Sequence, residues 1–170
     1  PDVEFITQRC RELCRSFEKR LNRVESLRES LRSKAGNIVG KKNIFFDPLS
    51  LIAHATDATD WRLYLPLAVV RPASEDQVAP LMKILASMEL GVIPRGAGTG
   101  LTGGAVPVDQ DIVIINVEKL NVIQGIASEK ELGFSDRGDL KLVELEAGVI
   151  TGDAMDYASA QNLVFATDPT

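Results

Sequence analysis

Apolar residues recur at intervals of three and four along the first stretch of the chain. The stripe runs Ile6, Cys10, Leu13, Phe17, Leu21, Val24, Leu27 and Leu31, with Arg and Glu between its members. Residues 4–34 hold no Gly or Pro, so the spacing predicts a single amphipathic helix (residues 1–36 as a unit) that ends at Gly36. At 1.5 Å per residue such a helix reaches roughly 45 Å, longer than a small domain is wide. It is therefore expected to cross a larger body, pair with another helix or bend. Packing or assembly is favoured over an anionic partner, because Glu12, Glu18, Glu25 and Glu29 dilute the basic face.

The pattern then breaks. Residues 37–66 hold Gly40, Pro48 and Pro66, the only histidine (His54), and Asp57 and Asp60 beside Trp61. They read as an irregular connector with at most one short strand or helical turn. From Leu67 short apolar runs alternate with helical spacing. Leu67–Arg71 reads as a strand. Ser74 as an N-cap, with Gln77 three residues on, opens a helix through Val78, Leu81, Met82 and Leu85 that ends at Gly91. Pro80 means that this helix either bends or begins near the proline. Gly91–Pro94 and Ile112–Val117 read as strands, the latter apolar on both faces. Val122–Ser128 and Leu140–Ala147 read as a strand pair flanking the polar loop Ser135–Asp139, and a last helix runs from Thr151 or Gly152 to about Asn162. The expected class is α+β (α/β), a long helix followed by a small parallel sheet flanked by helices and the start of a second, mixed sheet.

Composition changes the picture little. Hydrophobic residues make up 45% and charged residues 25%, as in an average globular chain. The net charge of −5 disfavours a generic nucleic-acid binder. It is unevenly spread: residues 1–42 carry +5 and the remainder −10, which sets the helical segment apart from the body. The longest apolar run, Leu63–Val70, contains a proline and is too short to span a bilayer. No basic-then-apolar leader is present and two cysteines build no disulfide framework, so a reducing cytoplasm is expected. A start without methionine and an end at Asp168-Pro169-Thr170 predict a segment of a longer chain.

The candidate chemistry lies between the second and third strands. Pro94-Arg95-Gly96-Ala97-Gly98-Thr99-Gly100-Leu101-Thr102-Gly103-Gly104 packs five of the chain's 13 glycines into nine residues. Glycine costs more chain entropy on folding than other residues, so this density needs a cause. Close approach of successive backbone N–H groups to an oxyanion supplies one, with Thr99 and Thr102 as hydroxyl donors and Arg95 as a cation. A pyrophosphate suits such a loop. Two familiar templates fail. Gly98 to Gly103 fits G-x-G-x-x-G, but that motif needs a helix starting in the loop, and here Gly104, Pro107 and Asp109-Gln110-Asp111 lead straight into a strand. A P-loop needs a lysine, and none stands between Lys83 and Lys119.

Pro72-Ala73-Ser74 before a helix, the run from Pro94 to Thr99 with Gly103-Gly104, Glu146-Ala147-Gly148-Val149 and the tail Phe165 to Thr170 resemble the FAD-binding domain of the vanillyl-alcohol oxidase / p-cresol methylhydroxylase (PCMH) superfamily. Within it the chain is most similar to the D-lactate dehydrogenase and glycolate oxidase branch, above all the large bacterial FAD-linked oxidases that also carry iron–sulfur clusters. Asn37 to Asn43 and His54 to Trp61 resemble the region before the domain in those proteins. The resemblance covers residues 37–170 and makes residues 67–170 the N-terminal part of the FAD domain. It implies that Pro94, Arg95, Gly96, Ala97, Gly98, Thr99, Gly100, Leu101, Gly103 and Gly104 wrap the FAD pyrophosphate. It further implies that Asp168, Pro169 and Thr170 begin a second contacting stretch. Several members hold flavin covalently through a histidine at the Thr99 position; threonine cannot, so FAD is expected noncovalently. Catalytic groups and metal ligands would lie in later parts of the parent chain, with a substrate domain and an iron–sulfur domain as partners.

The weaker candidates have plainer explanations. Cys10 and Cys14, one turn apart, offer two of the four ligands a metal site needs and are more simply small apolar groups of a buried stripe. His54 near Asp57 lacks a nucleophile and reads as a hydrogen-bonded connector residue. Asp57 and Asp60 read as turn caps, and Tyr157 as packing. The leading expectation is the FAD-binding segment of a dehydrogenase for a D-2-hydroxy acid that passes electrons to an acceptor other than oxygen. Its rivals are a non-catalytic assembly module working through the long helix and a nicotinamide-dependent enzyme.

Overall fold

The computed structural model describes residues 2–59, 63–128, 133 and 141–166. Asp60, Trp61, most of the loop around Ser135–Asp139 and the tail Asp168-Pro169-Thr170 lie outside the described residues.

Helix α1 spans Val3–Val39 and opens on Asp2, whose carboxylate accepts the Glu4 N–H. It does not end at Gly36. That glycine lies within the last turn, where a Cβ would stand 2.8 Å from Cγ of Lys41. The stop is Gly40, at φ 80°, whose N–H bonds back to the Gly36 carbonyl. Only the last part of α1 packs its apolar face on the body: Leu31, Ala35 and Val39 are buried, with Val24, Leu27 and Ile38 packed beside them. Residues 2–23 are exposed along their whole length, including Phe5, Leu13, Phe17, Cys10 and Cys14. The cysteines are thus not buried hydrophobes within the described chain.

Residues 40–59 hold more structure than the sequence pattern shows. A 3-10 turn (Lys41–Asn43) leads into strand β1 (Ile44–Phe45) and helix α2 (Pro48–Ala53), which Asp47 caps through the Ser50 N–H at 2.9 Å. Strands β2 (Ala68–Val70), β3 (Gly91–Arg95) and β4 (Ile112–Asn116) follow. The sheet order is β1-β2-β4-β3, parallel except for β1, which pairs antiparallel with β2 on the edge. Helix α3 (Val78–Ser87) links β2 to β3. Pro80 sits in its first turn, where its missing N–H costs nothing. Ser74 makes no side-chain cap; instead Gln77 accepts the Ala73 N–H at 2.8 Å.

The end of α3 falls earlier than Gly91. Glu89 takes the left-handed conformation (φ 55°), and Glu89 N–H and Leu90 N–H bond to the Ala86 and Leu85 carbonyls. This is a Schellman closure with a non-glycine residue in the special position. Gly91 instead starts β3, where a Cβ would meet Cδ1 of Ile112 at 2.7 Å. Helix α4 (Thr151–Ala160) closes in the same way through Asn162 at φ 59°.

The period-two arrangement of β2 and β4 explains their unbroken apolar runs. Ala68, Val70, Val113 and Ile115 face α1 and α3, while Val69, Ile112 and Ile114 face α2. Strands β5 (Ile123–Ser128) and β6 (Lys141–Leu145) form a separate antiparallel pair. No helix among the described residues is long and apolar enough to cross a membrane.

Candidate functional site

The glycine loop begins where β3 ends at Arg95 and returns to β4 without a helix, so the dinucleotide-binding template fails in space as it does in sequence. Its base is pinned: Val106 and Pro107 are buried, and the Val106 N–H bonds to the Gly103 carbonyl at 3.1 Å. Its tip, from Thr99 to Thr102, is exposed.

Four of the loop's five glycines fall into two groups. Gly98 and Gly103 have positive φ (76° and 74°), and a side chain on Gly98 would also strike the Arg95 guanidinium. Gly96 and Gly100 have neither reason: neither has a left-handed φ, and a Cβ on either would meet nothing within 4 Å. The fold itself does not require glycine there. Open space kept clear above a backbone is what a ligand approaching that backbone needs.

A second wall faces the loop. After β6 the chain passes through Gly148, which is pressed against the turn at 117–120; its N–H bonds to the Leu120 carbonyl at 2.7 Å, and a Cβ would stand 2.8 Å from that oxygen. This close seat directs the chain into α4. A cavity of about 500 Å³ lies between the two walls, lined by Gly96, Ala97 and Thr99 on one side and by Gly148, Thr151 and Met155 among others on the opposite side. Ile150, at the N-cap of α4, provides no side-chain cap. The amides of the first turn are therefore left to water or a ligand, at the positive end of the helix dipole.

Beneath the loop, at the C-terminal ends of the parallel strands, polar groups are tied together. His54 is buried; its Nδ1–H donates to the Ser50 carbonyl at 2.8 Å, which leaves Nε2 to accept from Asn116 Nδ2 at 2.9 Å. Burial, with repulsion from Arg95 and Arg71, lowers its pKa, against the pull of the Ser50 carbonyl and Glu118. A neutral histidine fixed at both nitrogens is a structural group. Arg71 pairs with Glu118 at 2.9 Å. Arg95 Nη1 donates to the Thr56 carbonyl at 2.5 Å. Asp57 is buried and accepts from the N–H of Thr59 at 2.9 Å and from its hydroxyl. Those bonds to Thr59, then the Ala105 amide and the Arg95 charge, hold its carboxyl below the ordinary range.

Comparison with known proteins decides what this architecture is. The profile of the FAD binding domain matches residues 66–170. The chain belongs to this family. Its fold is of the PCMH type, and it is related to FAD-linked oxidoreductases. It is 38% identical over 106 residues to the glycolate oxidase subunit GlcD of Escherichia coli K12, covering 62% of this chain and 19% of that protein. It is 38% identical over 101 residues to a D-lactate dehydrogenase of Archaeoglobus fulgidus, covering 59% and 20%. The fold is that of p-cresol methylhydroxylase (TM-score 0.62, 23% identity), over 81% of this chain and 25% of that one. The chain thus spans about a fifth to a quarter of the proteins it resembles.

The cofactor of the FAD-binding domain is noncovalent FAD. The residues present fit it: a cleft kept open by glycines without packing duties, next to an uncapped helix start, and threonine rather than a nucleophilic ring at position 99. Among the described residues no group of three or more His, Cys, Asp or Glu could hold a metal ion. The structure brings Gly96, Ala97 and Thr99 to the cavity but turns the Arg95 guanidinium toward Thr56 and the underside of Gly98. Asp168, Pro169 and Thr170 lie outside the described residues. Sequence reasoning missed the opposite wall, Gly148 to Met155. Its signal was the Glu146-Ala147-Gly148-Val149 run, which marked the family but was not read as a lining.

Proposed function

We propose that this chain supplies the pyrophosphate-holding half of a flavin site in a dehydrogenase for D-2-hydroxy acids such as lactate or glycolate, with electrons leaving to an acceptor other than oxygen. The observation that carries this reading is the loop in which Gly96 and Gly100 stay free of side chains although nothing in the fold fills the space. When bound, FAD supplies the electron sink for oxidation of the hydroxy acid. The chain's own part is to bind and orient it. Backbone amides of residues 95–104 meet the pyrophosphate oxygens, the Thr99 hydroxyl adds a donor, and the first turn of α4 favours the same negative charge. Asp168-Pro169-Thr170 begin a second contacting stretch. Substrate contacts and the proton acceptor belong to the remaining three-quarters of a protein of the relatives' length, together with a substrate domain and an iron–sulfur domain.

The test is anaerobic mixing of the FAD-loaded full-length protein with D-lactate, glycolate and L-lactate. Bleaching of the flavin band by either of the first two and not by L-lactate is the expected result. A protein that takes up no FAD ends the proposal.

A second reading, an assembly module, is favoured by one observation: the exposed apolar stripe of α1 from Val3 to Leu21. Removing residues 1–19 should then change the size of the particle in solution. An unchanged elution volume counts against it.

A further inference from the structure

The cavity is lined by Gly96, Ala97 and Thr99, whereas Gly98 between them backs onto a side chain from its own strand end. That side chain is Arg95. Its Nη1 reaches across to the carbonyl of Thr56, 39 residues earlier in the chain, and its nitrogens fill the volume a Gly98 Cβ would take. Beside it Asp57 is buried, with one carboxylate oxygen saturated by Thr59 and the other, Oδ2, buried with no full hydrogen bond. An ionised carboxylate in such a place is costly unless neighbouring charge and dipoles compensate it. Its compensators at longer range are the Arg95 guanidinium and the amide of Ala105. These two groups stand at the two ends of the glycine loop. The Thr56 hydroxyl in turn donates to the Asp57 carbonyl at 3.1 Å, which stiffens the segment that carries both partners.

We infer that Asp57 and Arg95 are positioning residues for the glycine loop, a clasp that ties the segment before β2 to the start of the loop and sets its ligand-ready shape in advance. Five glycines in nine residues make a loop with much conformational freedom to lose. A loop ordered only by its ligand binds more weakly, because the ordering cost is drawn from the binding energy. The clasp removes that cost through side chains turned away from the cavity, which distinguishes them from the cavity-lining groups. The chemistry explains why the pair consists of these two residue types. A planar guanidinium can donate to Thr56 while filling the space beneath Gly98, and an acceptor-only carboxylate compensates its charge.

The inference rests on reading the loop as the FAD cradle, and the experiment separates the two. In the full-length protein, hydrogen exchange of residues 96–105 is measured without ligand for wild type, Asp57→Ala, Asp57→Asn and Arg95→Ala. The FAD dissociation constant is then measured by flavin fluorescence. The clasp predicts loop exchange at least tenfold faster in Asp57→Ala and Arg95→Ala, with exchange in β2 and β4 unchanged. FAD affinity falls at least tenfold in both, while the absorption spectrum of whatever flavin binds stays that of wild type. Asp57→Asn keeps an acceptor for Thr59 and loses the charge facing Arg95, so it falls between; being isosteric, it carries the test if Asp57→Ala does not fold. Loop exchange equal to wild type in Asp57→Asn and Arg95→Ala overturns the clasp. So does faster exchange without loss of affinity. A wild-type protein that binds no FAD, with the exchange result as expected, leaves the clasp standing and removes the cofactor reading.

Discussion

At the scale of single residues, the glycines divide into those the fold needs and those only a ligand needs, and substitution separates them. Gly148→Ala places a methyl against the Leu120 and Val117 carbonyls, which cannot retreat without breaking the turn at 117–120. The expected cost is about 2 kcal/mol or more of stability, read from denaturant unfolding. Gly100→Val should cost little stability, since a Cβ there meets nothing, yet lower FAD affinity at least tenfold by filling the approach. If Gly100→Val bound FAD as wild type does, the open space above that backbone would have another purpose. His54 gives a second residue-scale prediction. Its folded pKa is lowered from 6.5, so the folded state resists protonation that the unfolded chain accepts. Its contribution is fully present above pH 6.5 and is lost as the pH falls below that through the folded value. The carboxylates of Asp47, Asp57 and Asp111 are held below 3.8 and lose their contributions only in stronger acid. The melting temperature should therefore begin to drop below about pH 6.5, and His54→Asn should flatten that first limb.

At the scale of elements, the sequence made the helices and strands legible and misplaced where two helices stop. Both misplacements have one cause. Gly36 and Gly91 look like helix ends in the sequence because glycine is the usual left-handed residue, but each serves a close contact instead, with Lys41 and Ile112. The stops themselves are Gly40 and, against the usual preference, Glu89. Neighbouring chain decides between these uses of glycine, and neighbouring chain is not visible in a linear pattern. Strand β1 was hidden for a similar reason: two residues carry no period, and only pairing with β2 makes them a strand. For α1 the periodicity was right, but burial follows it only from Val24 onward. The outer half touches the body first through Arg20–Gln110 (3.2 Å) and Arg23–Asp111 (2.6 Å). The Arg23 pair is exposed, and such pairs contribute about 0–1 kcal/mol. Removing residues 1–19 should thus leave the unfolding free energy within about 1 kcal/mol. The amides of those residues should exchange far faster than those of residues 24–39, since an isolated helix of that length is marginal in water. A large loss of stability on truncation would mean that the outer helix packs on something.

At the scale of the molecule, the two walls of the cavity come from parts of the chain about fifty residues apart, and the match to FAD-linked proteins covers only about a fifth to a quarter of their length. On the proposed reading this chain contacts one side of the ligand, and the rest of a protein of the relatives' length closes the other. Affinity depends on how much of a ligand's surface is enclosed and how little ordering is required on binding. On that reading the clasp and the uncapped α4 meet the second requirement for the pyrophosphate, and enclosure of the ring system falls to the rest of the parent protein. The expected result of incubating FAD with residues 1–170 and desalting is loss of the yellow band, with weak, salt-sensitive binding before desalting, because the contacts formed are to a dianionic group. The same treatment of the full-length protein should leave the band in place. Free pyrophosphate should compete with FAD for the short chain but displace it poorly from the long one, where enclosure of the rings adds binding energy that pyrophosphate cannot share. A band retained equally by both would make the loop, the clasp and α4 a self-sufficient cofactor module, and the later parts of the relatives would then be needed for substrate and electron transfer alone.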